Sequence, residues 1–156
     1  MSFKFVDLFA GIGGFNAALS AAGGECVFAS EIDPFARKTY EANFKDRSPN
    51  LFLNDMFNED IRSVSPNDLP DFDILCAGFP CQPFSKAGKQ DGLQDERNGS
   101  LFDKIVSVLE FHKPKYFILE NVRNLISHDN ENTWFYIKEQ LENKLGYKID
   151  KKIYSP

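Results

Sequence analysis

Cys81 stands in the run Ala77-Gly78-Phe79-Pro80-Cys81-Gln82-Pro83-Phe84-Ser85, directly beyond an apolar stretch. A free cysteine is usually a small buried hydrophobe, and that reading suits Cys26 and Cys76, which lie inside apolar runs. Cys81 differs, because Pro80 and Pro83 keep it out of regular strand or helix. An accessible thiol with a lowered pKa is a nucleophile. Two other segments hold residues capable of chemistry. In Asp7-Leu8-Phe9-Ala10-Gly11-Ile12-Gly13-Gly14-Phe15, glycines interrupt an apolar run and allow a sharp turn with close approach of a ligand. Further on, Glu120-Asn121-Val122 puts a carboxyl at the end of another apolar run. Taken singly, each has a plain structural explanation: a tight turn without a ligand, or a strand end followed by a loop.

The elements that would position these groups alternate between strand and helix. Strands are predicted at Phe3 to Phe9, Cys26 to Ser30, Leu51 to Leu53, Phe72 to Ala77 and Tyr116 to Leu119, the last two as buried strands. Lys148 to Tyr154 is a candidate for another. A helix from Phe15 to Ala22 is stopped by Gly23-Gly24. A second opens at Asp33-Pro34, with Asp as N-cap and Pro at the first helical position, and runs to about Asn43. Leu101, Ile105 and Leu109 form a third helical stripe. Trp134, Ile137, Leu141 and Leu145 form a fourth, ended by Gly146. The stretch from Asn54 to Asp71 reads as mostly loop, and Lys86 to Asn98 as a charged surface loop. This alternation implies an α/β fold: a mainly parallel sheet with helices on both faces. The glycine turn then lies at a strand's carboxyl edge, with Glu31 about twenty residues on, where an acidic side chain can accept from ribose hydroxyls. The spacing equally suits NAD. The Gly-x-x-x-x-Gly-Lys-Ser/Thr phosphate loop is not present, which disfavours ATP chemistry.

Together the three segments resemble the signature of the cytosine-5 DNA methyltransferases, which have a Rossmann-like fold dependent on S-adenosylmethionine. The resemblance implies that Phe9 packs against the adenine and that the backbone around Gly11, Gly13 and Gly14 surrounds the methionine part. It implies that Glu31 holds the ribose, Ile32 lies against the adenine ring, Asp55 accepts from the adenine amino group and Leu101 borders the cofactor. Cys81 would add to C6 of a flipped cytosine, and Glu120 would serve N3 from a dry pocket. Pro80, Gln82, Ser85, Asn121 and Val122 would line the substrate side. Lys86, Lys89 and Arg97 are candidate phosphate contacts, although Asp91, Asp95 and Glu96 offset their charge. Only the front part of the family pattern is covered. The later Gln-x-Arg-x-Arg motif, the target-recognition region and the segment closing the cofactor pocket are absent. The sheet is therefore expected to be incomplete at its C-terminal edge. The chain is expected to be half of a split enzyme, a truncated gene product or an expressed fragment, relying on a complementary methyltransferase chain.

Composition sets the remaining bounds. The 156 residues suggest a single domain, and 16 phenylalanines supply large core groups. No apolar run approaches the ~20 residues of a membrane helix, and the start lacks a signal-peptide pattern, so a cytoplasmic protein is expected. Three cysteines and two histidines, His112 and His128, show no metal or disulfide spacing. The net charge of −5 is the wrong sign for a stand-alone nucleic-acid binder, so a basic surface must be local or supplied by a partner. Alternatives to the duplex-DNA enzyme are an RNA (tRNA) cytosine-5 methyltransferase, a non-catalytic subunit that binds S-adenosylmethionine or a partner, and an NAD-dependent oxidoreductase.

Overall fold

Among the described residues every strand in the computed structural model runs parallel, as β-α-β connections require. The structure describes residues 2–80, 101–126 and 131–154. Five strands, β1 (Phe3–Leu8), β2 (Gly24–Ser30), β3 (Phe57–Asn58), β4 (Ile74–Gly78) and β5 (Tyr116–Glu120), stand in the order β3-β2-β1-β4-β5. The chain builds outwards from β1 to β3, then returns to place β4 on the other side of β1. That reversal opens a crevice between the carboxyl ends of β1 and β4.

Helices cover both faces. Phe5, Cys26 and Ala29 pack with Tyr40, Phe44 and Leu51 under α1 (Gly14–Ala21), α2 (Pro34–Phe44) and α3 (Pro49–Leu53). On the other face, Val6, Leu8, Leu75 and Ala77 meet Phe102, Ile105 and Leu109 of α4 (Leu101–His112). Ile137 of α5 (Asn132–Lys138) and Leu141, on the π-helical turns of Glu139–Lys144 that prolong it, complete that layer. The start of α2 matches its sequence signal. Asp33 Oδ1 accepts from Phe35 N at 2.9 Å and Ala36 N at 2.8 Å, with Pro34 opening the helix.

Three expectations need correction. Leu51 to Leu53 is not a strand but the end of α3, because Pro49 presets a helical first turn and the turn buries Leu51. The third strand is the two-residue β3, which pairs with Ala29 and Ser30. The β5 strand is not buried: among the described residues it borders β4 alone, and Tyr116, Ile118 and Glu120 alternate outward into solvent. Lys148 to Tyr154 forms no strand. That stretch is held by side chains instead of a backbone ladder, with Lys151 over the Trp134 ring at 4.9 Å and Ile149 against the core. Just before it, the Tyr147 hydroxyl donates to the Pro114 carbonyl at 2.9 Å.

Two core positions carry unusual constraints. Gly13 caps α1 with φ +95, and a Cβ there would lie 2.1 Å from the Phe44 ring, so the absent side chain lets α1 seat against α2. Asp7, near the end of β1, is fully buried, and neither carboxylate oxygen has a hydrogen-bond partner among the described residues. Burial pushes its pKa up to about 8. The Asn16 backbone amide offsets part of this without closing a hydrogen bond, and the nearby Glu31 carboxylate adds to the rise.

Replacing Gly13 by Ala should combine left-handed strain with overpacking and cost about 2–4 kcal/mol in urea unfolding. For Asp7, the folded chain keeps a proton that the unfolded chain releases once pH passes the usual carboxylate range. Its contribution is therefore greatest below about pH 4 and declines, by at most about 1.4 kcal/mol per pH unit, until about pH 8. Unfolding of Asp7→Asn and wild type across that window should show the variant gaining on the wild type as pH rises. A gap independent of pH would contradict the buried, protonated carboxyl.

Candidate active site

The carboxyl ends of four strands, together with the first residue of α4, form a cleft of about 400 Å³. β1 contributes Phe9 and Gly11, β2 contributes Ser30, Glu31 and Ile32, and the turn after β3 contributes Glu59, Asp60 and Ile61. The end of β4 adds Gly78, Phe79 and Pro80, and Leu101 closes the ring. Phe9 takes a left-handed backbone with φ 57, a costly conformation for a bulky residue and one that clusters at functional sites. Beside it, Gly11 has φ +55, and no heavy atom lies within 4 Å of where its Cβ would be, so ligand atoms have room against the backbone.

Glu31 joins two loops. One carboxylate oxygen accepts from Gly11 N at 2.7 Å and the other from Asp33 N at 2.8 Å. These amides fix the carboxylate at the cleft wall and leave lone pairs for a further donor. Ile32 beside it is 56% exposed and presents an apolar face to the cleft. Arg37 of α2 is a positioning residue that the sequence reading overlooked. Its guanidinium donates to the carbonyls of Glu31 (3.0 Å), Asn58 (2.7 Å) and Phe57 (3.2 Å) and lies 4.3 Å over the Phe57 ring. It clamps the ends of β2 and β3 at the positions from which Glu31 and Asp60 emerge. Its position one turn into a well-capped helix gave no hint of this role.

Asp55 does not reach the cleft. It sits exposed on the turn before β3, not after it, because the strand lies later than expected. Asp60, on the turn after β3, lines the cleft instead. Its carboxylate accepts from the Arg62 side chain at distances down to 2.7 Å, and that pairing draws its pKa below the usual carboxylate range. A sequence signal for Asp60 existed: Asp60-Ile61 repeats the acidic-isoleucine pair of Glu31-Ile32. Gly13 and Gly14 do not line the cleft; Gly13 packs on Phe44 and Gly14 opens α1.

On the substrate side, a Cβ on Gly78 would lie 3.5 Å from Glu120 Oε2 and 3.9 Å from the Phe9 carbonyl. The Glu120 carboxylate thus stands at the border of the cleft, solvent-exposed rather than enclosed. Asn121 Nδ2 donates to the Phe79 carbonyl at 2.6 Å, which ties the end of β5 to the end of β4. Val122 is 60% exposed and outside the cleft lining. Cys81, Gln82, Ser85, Lys86, Lys89 and Arg97 lie outside the described residues, whereas Pro80, next to the nucleophile candidate, lines the cleft. The two cysteines inside strands are buried, as expected. Burial raises the pKa of both thiols, that of Cys76 to about 12, with Asp7 adding to the rise, so they are inert. Among the described residues no group of His, Cys, Asp and Glu could hold a metal ion, and no helix is long and apolar enough to cross a membrane. A hollow of about 480 Å³ between α1 and α3 lies at the amino end of β2, away from these groups.

Comparison with known proteins agrees with this geometry. The type II methyltransferase M.HaeII of Haemophilus aegyptius is 49% identical over 97% of this chain, which covers 44% of its own length. M.HhaI of Haemophilus parahaemolyticus is 45% identical over 96% of the chain and 42% of its own. The chain therefore spans less than half the length of these relatives. A solved DNMT2 from Spodoptera frugiperda superposes with TM-score 0.62 at 26% identity, over 88% of this chain and 41% of that one. The S. pombe Dnmt2 methyltransferase superposes with TM-score 0.63 at 24% identity, over 90% and 42%, a likeness of fold. Residues 3–155 match the model of the C-5 cytosine-specific DNA methylases, and the chain belongs to that family.

Proposed function

We propose that this chain carries the cofactor-binding and catalytic portion of a DNA cytosine-5 methyltransferase. The observation that carries the reading is the convergence of Phe9, Glu31, Asp60, Pro80 and Leu101 on one cleft, with the Glu120 carboxylate at its border. S-adenosylmethionine is the methyl donor and supplies an electrophilic sulfonium methyl. The residues present fit it. Glu31 offers lone pairs to ribose hydroxyls, and Phe9 and Ile32 offer apolar faces to the adenine. Asp60 lines the cleft and Asp55 does not, which supports Asp60 as the acceptor from the adenine amino group. Open space at Gly11 allows the methionine part to approach the backbone.

Cytosine C5 is a weak nucleophile on its own. Addition of the Cys81 thiolate to C6 forms a sulfur–carbon bond and makes C5 enamine-like. Glu120 hydrogen-bonds or protonates N3 as negative charge develops there. The bound donor would supply the methyl group that the activated C5 takes, its sulfur leaving as a neutral thioether. A base, with water as one candidate, removes the C5 proton; that electron pair restores the C5–C6 double bond and expels the thiolate. In a duplex the cytosine must be flipped out to reach these groups. Asn121 steadies the strand end that leads into Cys81 through its bond to the Phe79 carbonyl, and the family resemblance assigns Gln82 and Ser85 to the substrate.

The free edge of β5, with Tyr116 66% and Ile118 42% exposed, supports completion of the sheet by a complementary methyltransferase polypeptide. The net charge of −5 supports the same polypeptide as a source of DNA-reading surface.

Duplex DNA containing 5-fluorocytosine should trap the chain, together with its complement and the donor, as a denaturation-resistant adduct that Cys81→Ser abolishes. Trapping on tRNA and not on DNA would favour the RNA reading. Donor binding with no adduct on either would indicate a binding subunit. Arg37→Met should weaken S-adenosylmethionine binding roughly tenfold by calorimetry, because two strand ends lose a shared charged donor. An unchanged Kd would remove Arg37 from the site.

A further inference from the structure

Asp7 is a buried carboxyl near the floor of the cleft that the methyl-transfer scheme leaves unused. It is fully buried, its two carboxylate oxygens lack hydrogen-bond partners, and it makes no ion pair among the described residues. Such a group destabilises the fold, and unpaired buried polar groups persist where function requires them. It lies one residue before the end of β1, level with Ala29 of β2 and Cys76 of β4, two residues before the cleft-lining Phe9. The groups acting on it are Glu31 beyond β2, Cys26 on β2, Cys76 on β4, Tyr40 on α2 and the Asn16 backbone amide of α1. The ionisable members of this set are acids, and none brings positive charge. Glu31 both repels Asp7 and forms the wall of the cleft, so charge in the cleft is felt at Asp7 through a poorly screened interior.

We propose that Asp7 is the counter-charge for the positive sulfur of the methyl donor: the carboxyl releases its proton when a sulfonium occupies the cleft and takes it back when methyl transfer leaves a neutral thioether. The inference rests on S-adenosylmethionine being the ligand. A carboxyl with a pKa of about 8 is mostly protonated near neutral pH. A nearby cation favours its ionised form. The donor is then held by an attraction that the product lacks, so the two are told apart by charge rather than shape, and the product is released more readily.

Calorimetric titration of the full chain with S-adenosylmethionine and with S-adenosylhomocysteine, in buffers of different ionisation enthalpy, counts the protons. Donor binding should release up to about one proton near pH 7 and close to none at about pH 9.5, and product binding should release few at either. Asp7→Asn should lower donor affinity roughly tenfold near pH 9.5 and leave product affinity within about twofold. Equal proton release by the two ligands would overturn the proposal, as would a variant that weakens both equally. The proton count needs only the wild-type chain, so a variant that fails to fold does not remove the test. Donor binding without selective proton release refutes the counter-charge alone. No binding of either ligand refutes the cofactor reading and the counter-charge with it.

Discussion

The reversal of strand order beside β1 is the constraint on which the site depends. Because all five strands are parallel, their carboxyl ends lie on one side of the sheet, and loops far apart in sequence meet there. Between β1 and β4 the connections diverge to opposite faces and open a crevice at the carboxyl edge. Glu31 spans the loops after β1 and β2 with hydrogen bonds to Gly11 N and Asp33 N, and Arg37 fixes the ends of β2 and β3. Asn121 does the same for β4 and β5 through the Phe79 carbonyl. The cleft is held open by polar contacts between loop ends, with the apolar core beneath.

Local rules carried most of the fold into the sequence. Asp33-Pro34 marks the start of a helix wherever it occurs, and the apolar run before Gly78 reads as a central strand. They failed where tertiary context outranks local preference. Leu51-Phe52-Leu53 is as apolar as a strand, but Ser48-Pro49 begins a helical turn that buries Leu51. The true third strand has only two residues, too few for any periodicity to show. Misplacing it put Asp55 where the structure has Asp60 in the cleft lining. Similarly, Tyr116 to Leu119 is apolar enough to be buried, yet composition carries no record of which strands have two neighbours.

At the site, resemblance and geometry contributed different things. Residue types and motifs pointed to Phe9, Gly11, Glu31, Ile32 and Leu101, and all five line the cleft. Gly13 belongs to the same motif for another reason, the close packing of α1 on α2. Arg37 and Asp7 were illegible as functional residues, because a helix arginine and a strand aspartate reveal their roles only once neighbouring carbonyls and the lack of partners are known. Asp7 is also a fold residue that costs stability, a conflict expected at sites shaped by function.

The most direct test of the account is a crystal structure of the chain with S-adenosylmethionine bound. The ligand should lie in the cleft at the carboxyl ends of β1, β2 and β4, with its ribose hydroxyls on Glu31 and its adenine between Phe9 and Ile32, near Asp60. Density in the hollow between α1 and α3, or in the cleft but turned away from Glu31, would contradict it.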